Sequence, residues 1–385
     1  MLLIRWMFFL AVSLSLSALS LGHEANAVGD TSRPVWRLDL RSVGFTAFAA
    51  KGEQWGIDLR PNPLCFADGS VLIATFITRE DVTTLARRGQ PGALPLRLHG
   101  IFLGAETGKV QSTKEWSITR PRGGIISVGA GEFAVLTPSM IALYSPSLEL
   151  VKDFKLSSDE QSHLWDFHSS PTGKSIVVEY HYPEASYQWV DTKSMLPQPI
   201  SIPTVAFHIS DDEVAIVRNP YIRSKGFLDE VLVRAADNPW RPICRVLPGQ
   251  AGDCGDPEFV SNDVLALVMP HAFRLVPKTG GDAILKVSFR DDEWLGRPLH
   301  PSADGKRLAV TVWEHKGGSA LLDISSHSVL KRIVVYDLRD RQAVFTLDAK
   351  QQKIKHVSGV VLSPDGTLVA ILTDGILEVY QVPPL

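Results

Sequence analysis

A short unit recurs seven times along this chain, and it restricts the possible folds more than any other feature of the sequence. Each unit consists of an apolar strand, a tight polar turn and a second apolar strand. The turns are Asp68-Gly69, Gly129-Ala130-Gly131, Thr172-Gly173, Ser210-Asp211-Asp212, Ser261-Asn262-Asp263, Asp304-Gly305 and Pro364-Asp365-Gly366. The units follow one another at intervals of about 40 to 60 residues, which is the spacing of four-stranded propeller blades.

The second half of each unit predicts two further strands, as in Val334–Leu338 followed by Ala343–Leu347. The last unit has only three predicted strands before Leu385. We expect Val35–Leu40 to pair outside Ile376–Val382 and to supply the fourth, because a closed ring leaves no apolar blade face in water. The sequence therefore predicts an all-β fold, a seven-bladed β-propeller of four-stranded antiparallel blades closed by an N-terminal strand that joins the last blade. A pair of β-sandwiches is the alternative.

The N-terminus has the pattern of an export signal. A basic start at Arg5 leads into an apolar run from Trp6 to Leu21, and small residues follow at Ala25-Asn26-Ala27. The alternative is a membrane anchor, but the run of about 16 residues is shorter than the roughly 20 that span a bilayer. We predict a signal peptide over residues 1–27, a single propeller domain over 28–385, and a periplasmic or extracellular location.

The charge balance excludes two classes of partner. The chain has 39 Lys and Arg residues against 42 Asp and Glu residues, a formal net charge of −3, with the two signs interspersed. This gives no electrostatic basis for binding nucleic acid or anionic lipid. We expect a monomer with no membrane span in the mature chain and no cofactor.

The three cysteines predict one disulfide. Cys244 and Cys254 lie ten positions apart around residues that can turn the chain back, and an exported protein meets an oxidising compartment. Closing so short a loop stabilises the fold by roughly 2–3 kcal/mol. Cys65 lies in an apolar strand pattern and is expected to be an inert buried thiol.

Two of the turns carry a family resemblance. Leu362–Ala370 and Pro301–Ala309, together with the third-strand segment Val335–Leu338, resemble the exported bacterial WD-repeat-like and YVTN-type β-propellers. The chain departs from eukaryote-type WD repeats because no Gly-His pair opens a unit and no Trp-Asp closes a third strand. The resemblance implies a propeller fold and a binding role, and it implies no reaction.

Three long insertions are predicted on one face of the propeller, because loops joining second to third strands all emerge on the same side. They are Arg79–Leu96, Asn219–Phe227 and Glu314–Lys331. Such a face is typical of ligand binding, and tolerated drift in exposed loops is the alternative. The insertions carry a candidate basic patch for a carboxylate or acidic partner, against the simpler alternative of solvated loops: Arg79, Arg87, Arg88, Tyr221, Arg223 and Lys225.

A metal site near the axis is the remaining chemical possibility. His163 and His168 bracket the predicted first strand of the third blade, with Asp166 and Glu179 as candidate carboxylates. Satisfied structural histidines are the alternative. The sequence therefore predicts an extracytoplasmic, non-catalytic binding or scaffold protein of unknown ligand, with a protein or glycan partner on the insertion-bearing face. The alternative function is a metal-dependent propeller hydrolase or lyase with its site in the central channel.

Overall fold

In the computed structural model of the chain, the elements of the described residues are β-strands and one short 3₁₀ helix, Leu40–Val43. Within the described ranges, no helix has the length and apolar character to cross a membrane. The structure describes residues 33–43, 62–79, 96–118, 123–156, 164–181, 184–202, 207–218, 229–235, 238–246, 254–269, 271–315, 328–350, 357–373 and 375–384.

The strands form seven antiparallel sheets, the blades of a propeller, each with four strands in order. Blade 1 contains β2 (Leu64–Phe66), β3 (Val71–Arg79), β4 (Leu96–Gly104) and β5 (Val110–Ile118), and blade 2 contains β6 (Gly124–Gly129), β7 (Glu132–Thr137), β8 (Met140–Tyr144) and β9 (Leu150–Lys155). Blade 3 contains β10 (Leu164–Ser169), β11 (Ser175–His181), β12 (Ala185–Asp191) and β13 (Leu196–Ile200). Blade 4 contains β14 (Phe207–Ile209), β15 (Glu213–Arg218), β16 (Asp229–Ala235) and β17 (Arg241–Val246).

Blade 6 departs from the pattern because its first strand is split into two short pieces, both paired with the second strand. Blade 5 contains β18 (Asp256–Phe259), β19 (Val264–Met269), β20 (Ala272–Pro277) and β21 (Leu285–Ser288). In blade 6, the two pieces of the first strand are β22 (Glu293–Leu295) and β23 (His300–Pro301), followed by β24 (Arg307–His315), β25 (Ser328–Asp337) and β26 (Gln342–Asp348). Blade 7 contains β27 (Gly359–Leu362), β28 (Leu368–Thr373), β29 (Ile376–Gln381) and β1 (Trp36–Asp39).

The N-terminal strand β1 completes blade 7, as predicted. It pairs antiparallel with β29 from Trp36 opposite Val379 to Asp39 opposite Ile376. The indole Nε1 of Trp36 also donates a hydrogen bond to the carbonyl oxygen of Ala105 in blade 1, at 2.6 Å. Blade 7 is therefore built from both ends of the described chain and is bonded to blade 1.

Apolar side chains fill the space between neighbouring blades. The second strand of blade 7 shows how this works, because all of β28 is buried and successive side chains point to opposite sides of the sheet. Ala370 and Leu372 pack with blade 1, whereas Val369 and Ile371 pack with blade 6. Similar clusters lie between every pair of neighbours around the ring, which confirms the seven-bladed propeller.

The recurring turn has a bonding pattern that explains its sequence. In blade 7, Ser363 Oγ donates to Asp365 Oδ1 at 2.7 Å and accepts the backbone N–H of Leu368 at 2.9 Å. Gly366 adopts a φ of 71°, which side chains other than glycine rarely tolerate. Blade 6 repeats the serine–aspartate bond at 2.7 Å between Ser302 and Asp304. The Ser-x-Asp-Gly pattern therefore specifies a closed turn.

The seven first-to-second-strand turns lie at one end of the ring, which we call the turn face. Antiparallel order places the third-to-fourth-strand connections there as well. Neighbouring turns are bonded directly to one another: Ser127 Oγ to Ala67 O (3.1 Å), Thr172 Oγ1 to Asp211 Oδ1 (2.6 Å), Asn262 Nδ2 to Asp211 Oδ2 (2.6 Å) and Asp304 N to Pro364 O (3.0 Å). The opposite end, the connection face, carries the second-to-third-strand connections and the links between blades.

The cysteines occupy two different environments. Cys244 of β17 and Cys254 are joined in a disulfide, with a Cα–Cα distance of 5.7 Å. Cys65 of β2 is a buried free thiol, and burial raises its pKa to about 12. The Cys65 side chain therefore stays protonated at neutral pH and acts as a small apolar group.

Candidate functional site

Three histidines occupy the same position in different blades. Each lies on a first strand, two residues before the serine that opens the following turn. First strands are the innermost strands of a propeller, so this position is close to the central axis. The histidines are His168 in blade 3, His208 in blade 4 and His300 in blade 6.

In blade 3, Glu179 bridges two histidines. Its Oε2 lies 2.7 Å from His168 Nε2, and its Oε1 lies 2.5 Å from His181 Nε2. Burial acts to raise the pKa of Glu179, but the hydrogen bonds and charge of the two imidazoles outweigh it and lower the pKa below its ordinary value. The ring of Trp165 stacks on His181 with a centroid distance of 4.4 Å and remains half exposed.

In blades 5 and 6, an arginine crosses from one blade to the next. Arg297 lies in the detour between β22 and β23, and its Nη1 is 3.0 Å from Asp256 Oδ2 at the start of β18. The same detour presents the backbone N–H of Leu299, which donates to Glu258 Oε1 at 2.6 Å. Glu258 Oε2 is buried and has no hydrogen-bond partner among the described residues.

The ionisation of these groups is set mainly by burial. The pKa of His208 is lowered to about 3, mainly by burial and to a smaller extent by electrostatic interaction with Arg297 and His168. Burial lowers the pKa of His300 to about 4. Burial raises the pKa of Glu258 to about 7, although Arg297 and the Leu299 N–H act in the opposite direction. At neutral pH, His208 and His300 are therefore uncharged and Glu258 is partly protonated.

We call His168, His208, Glu258, Arg297 and His300 the axial cluster. It is polar but carries little net charge, because Arg297 is paired with Asp256 and His208 and His300 are neutral. Such a set can orient a small polar group through neutral donors and acceptors. Electrostatic interactions connect blades 3 to 6, since Arg297 of blade 6 acts on Glu258 of blade 5 and His208 of blade 4, and His168 of blade 3 acts on His208.

The predicted metal ligands are only partly within the described residues. His168 Nε2 is engaged by Glu179, and Asp166 is buried with its Oδ1 accepting the N–H of Phe167 at 2.8 Å. His163 lies outside the described residues. Where the chain is described, no group of three His, Cys, Asp or Glu side chains is arranged to hold a metal ion. The metal site stays a prediction.

The predicted basic patch stays a prediction too. Arg79 is the last residue of β3, and nothing is described of its side chain. The other members lie outside the described residues: Arg87, Arg88, Tyr221, Arg223 and Lys225. What the structure gives is the position of the strand ends that carry these segments.

Four of the five residues of the axial cluster were not identified from the sequence: His208, Glu258, Arg297 and His300. A usable signal exists for the two histidines, because His-x-Ser before the turn recurs as His168-Ser169-Ser170, His208-Ile209-Ser210 and His300-Pro301-Ser302. No comparable signal marks Glu258 or Arg297. Their environment depends on the detour of blade 6 reaching blade 5.

Comparison with known proteins identifies the fold and no family. No family model matches the chain, and no curated protein matches it either. A chain in the crystal structure of the mitotic checkpoint complex is 13% identical, with 94% of this chain and 100% of that chain covered and a TM-score of 0.51. Hsv2 of Kluyveromyces lactis is 12% identical, with 82% and 91% covered and a TM-score of 0.46. The C-terminal WD40 domain of Sif2 is 13% identical, with 83% and 95% covered and a TM-score of 0.43.

Proposed function

We propose that this chain is a non-catalytic binding or scaffold propeller that works outside the cytoplasm and holds a protein or glycan partner on its connection face. One observation carries the proposal. The three long connections, residues 80–95, 219–228 and 316–327, all join a second strand to a third strand. They therefore leave the ring on the same face.

The contrast with the turn face supports a binding role for the connection face. Turns on the turn face are short and bonded from blade to blade, so a change there disturbs the ring. Connections on the other face lengthen at little cost in stability, because the loop-closure entropy grows only slowly with length. Long segments on a rigid frame are a common arrangement of binding surfaces.

The fold supports binding rather than a particular reaction. The propeller similar to this chain at a TM-score of 0.51 comes from the structure of a multi-protein complex. Propellers host many functions, and binding between proteins is common among them.

The predicted basic residues indicate the partner's charge. Arg87, Arg88, Arg223 and Lys225 all belong to the long connections. Arginine binds carboxylates in a two-pronged geometry that lysine cannot match. An acidic peptide segment or a carboxylate-bearing glycan is the partner that fits this composition.

Capture with matched variants tests the binding proposal. The mature chain is immobilised, incubated with the envelope fraction and cross-linked. We expect a specific partner to be retained by wild type and lost with Arg87→Glu/Arg88→Glu. Arg339→Glu is the control, because Arg339 is exposed in the third-to-fourth-strand connection of blade 6, on the turn face. Recovery of no specific partner, or equal loss with the control, would contradict the proposal.

The extracytoplasmic location has its own test. It is supported by the predicted signal peptide and by the Cys244–Cys254 disulfide, a bond that persists in oxidising compartments. We expect the protein in the exported fraction to begin at Val28, as determined by mass spectrometry of its N-terminal peptide. A cytoplasmic protein that retains residues 1–27 would contradict the location without affecting the binding test.

A further inference from the structure

A cavity of about 150 Å³ lies between blades 3 and 4, beside a turn of the turn face. Blade 3 contributes the indole of Trp189 on β12 and three residues of the outer strand β13. Blade 4 contributes two carboxylates from its first turn. The lining residues are Trp189, Gln198, Pro199, Ile200, Asp211 and Asp212.

At four other junctions, the outer strand of one blade donates a hydrogen bond to the next blade. In each case a side chain reaches a carbonyl oxygen in the third-to-fourth-strand connection of that blade, and three of the four side chains are basic. The bonds run from Trp36 Nε1 to Ala105 O (2.6 Å), Lys114 Nζ to Leu148 O (2.8 Å), Lys152 Nζ to Lys193 O (3.1 Å), and Arg241 Nη1 to Lys278 O.

The outer strand of blade 3 has no such side chain, and the bond at this junction runs the other way, from Arg234 Nη2 of blade 4 to the carbonyl oxygen of Ser201. β13 reads Leu-Pro-Gln-Pro-Ile, so its only polar side chain is the short, neutral Gln198. Gln198 lies opposite Trp189 in the sheet, and both line the cavity. The cavity therefore lies beside the one outer strand of blades 1 to 4 that carries no lysine or arginine.

The two charged residues that line the cavity are the carboxylates Asp211 and Asp212, and a guanidinium of blade 4, Arg234, reaches the carbonyl oxygen of Ser201 across the same junction. Asp211 is held by neutral donors, Thr172 Oγ1 and Asn262 Nδ2, both at 2.6 Å. Lys278 Nζ is 3.4 Å from Asp212 Oδ1, but it also lies 3.4 Å from Glu213 Oε2 and 3.8 Å from Asp263 Oδ1. Arg241 Nη2 also pairs with Glu213 Oε1 at 2.9 Å, so two basic groups face three carboxylates, and Asp212 remains largely exposed.

Cation-to-ring contacts already occur in this propeller. Lys114 Nζ lies 4.2 Å from the ring centroid of Tyr144, and the guanidinium carbon of Arg234 lies 4.4 Å from the ring centroid of Trp240. An indole wall beside carboxylates is suited to a cation, because the ring face and the carboxylates both attract positive charge. A cavity of this volume is large enough for a group the size of benzene, comparable with the end of a lysine or arginine side chain.

We propose that this cavity binds the cationic side chain of a lysine or arginine presented by a partner protein. The ammonium or guanidinium lies against Trp189 and beside Asp211 and Asp212, and its aliphatic stem contacts Pro199 and Ile200. This site is on the opposite side of the ring from the long connections, so it is independent of the function proposed above.

Small probes test the site without a known partner. The probes are Nα-acetyl-lysine methylamide and Nα-acetyl-arginine methylamide, with the neutral Nα-acetyl-norleucine methylamide for comparison. Binding to the mature chain is followed through the indole N–H signal of Trp189 in ¹⁵N-labelled protein, assigned with Trp189→Phe. We expect saturable shifts with both cations and binding at least about fivefold weaker for norleucine.

A pair of charge-matched variants distinguishes the site from general surface attraction. Asp212→Asn removes a carboxylate that lines the cavity, whereas Asp263→Asn removes one from the same face that does not. We expect Asp212→Asn to weaken lysine-probe binding by about fivefold and Asp263→Asn to leave it within about twofold. Thermal unfolding confirms that each variant is folded. Equal binding of norleucine, or equal effects of the two variants, would overturn the proposal.

Discussion

The two faces of this ring differ in how they are built. On the turn face, short turns are closed by serine–aspartate bonds and are linked from blade to blade, as between Thr172 and Asp211. On the connection face, three second-to-third-strand connections are long, and others, such as Pro138–Ser139 between β7 and β8, are short. The length of the connections therefore varies widely on the connection face and little on the turn face.

Under the function proposed above, the bonds that fix the ring lie on the turn face, and the connections that meet the partner lie on the connection face. A bonded turn fixes the angle between neighbouring blades, so its sequence is restricted by packing. A connection between paired strand ends has no such restriction, because the strands on either side are already hydrogen-bonded. Substitutions on the turn face should therefore lower stability, and changes to the connections should alter binding instead.

The largest expected effect is that of Gly173→Ala on the turn face. Gly173 has a φ of 70°, and a Cβ placed there would lie 1.8 Å from the carbonyl oxygen of Ser127 in blade 2. Backbone strain of about 1 kcal/mol and overpacking of about 1–3 kcal/mol should together lower the free energy of unfolding by about 2–4 kcal/mol. Urea denaturation measures this difference.

Gly129→Ala is the matched control for Gly173→Ala. Gly129 also has a positive φ, 91°, but a Cβ there meets no atom within 4 Å. Only the strain of about 1 kcal/mol should remain. If the two variants lose equal stability, contact between neighbouring turns is not what restricts the turn face.

A smaller effect is expected at the axis and depends on pH. The pKa of His208 is about 3 in the folded protein against 6.5 ordinarily, so the unfolded chain takes up the proton first as the pH falls. Keeping His208 neutral therefore lowers the free energy of unfolding of the wild type below pH 6.5, by about 1.4 kcal/mol per pH unit and by about 2 kcal/mol in total at pH 5. His208→Gln removes this dependence.

The measurement is the difference in urea stability between His208→Gln and wild type at pH 7.5 and pH 5. We expect the variant to gain about 2 kcal/mol relative to wild type over that interval. Glu258 acts in the opposite sense, since its raised pKa of about 7 stabilises the folded state as the pH falls, but it is common to both proteins. Parallel pH profiles would show that His208 is not titrating differently in the folded state.

The sequence was sufficient for the fold because the repeat is local. The Asp365-Gly366 turn and the apolar strands around it specify one blade, and the segment at Trp36 was needed only to complete the ring. The split first strand of blade 6 was not predicted, since nothing in Gly296–Leu299 distinguishes a detour from an ordinary turn. The repeat predicts what the blades have in common, so an irregularity that occurs in one blade leaves no periodic pattern in the sequence.

The axial cluster was harder to predict because its properties arise between blades. Burial raises the pKa of Glu258, and Arg297, which comes from the next blade, acts against that rise. Glu179 was named as a candidate metal carboxylate, whereas the structure pairs it with His168 and His181. Residue types alone suggested a metal site, whereas the pairing of Glu179 with two histidines of its own blade depends on the register of β10 and β11, which the sequence pattern did not give.

The smallest effect on stability is expected from replacing residues 80–95, which join β3 to β4. The strand ends at Arg79 and Leu96 are paired with each other, so the ladder does not depend on what joins them. A flexible Gly/Ser linker of about eight residues halves the length and should raise the free energy of unfolding by only about 0.6 kcal/mol. A Gly/Ser linker of the original length is the control for the change in sequence, and it should leave stability unchanged while abolishing partner capture. If the shorter linker instead lowers stability as much as Gly173→Ala does, the long connection supports the fold, and the two faces do not divide stability from recognition.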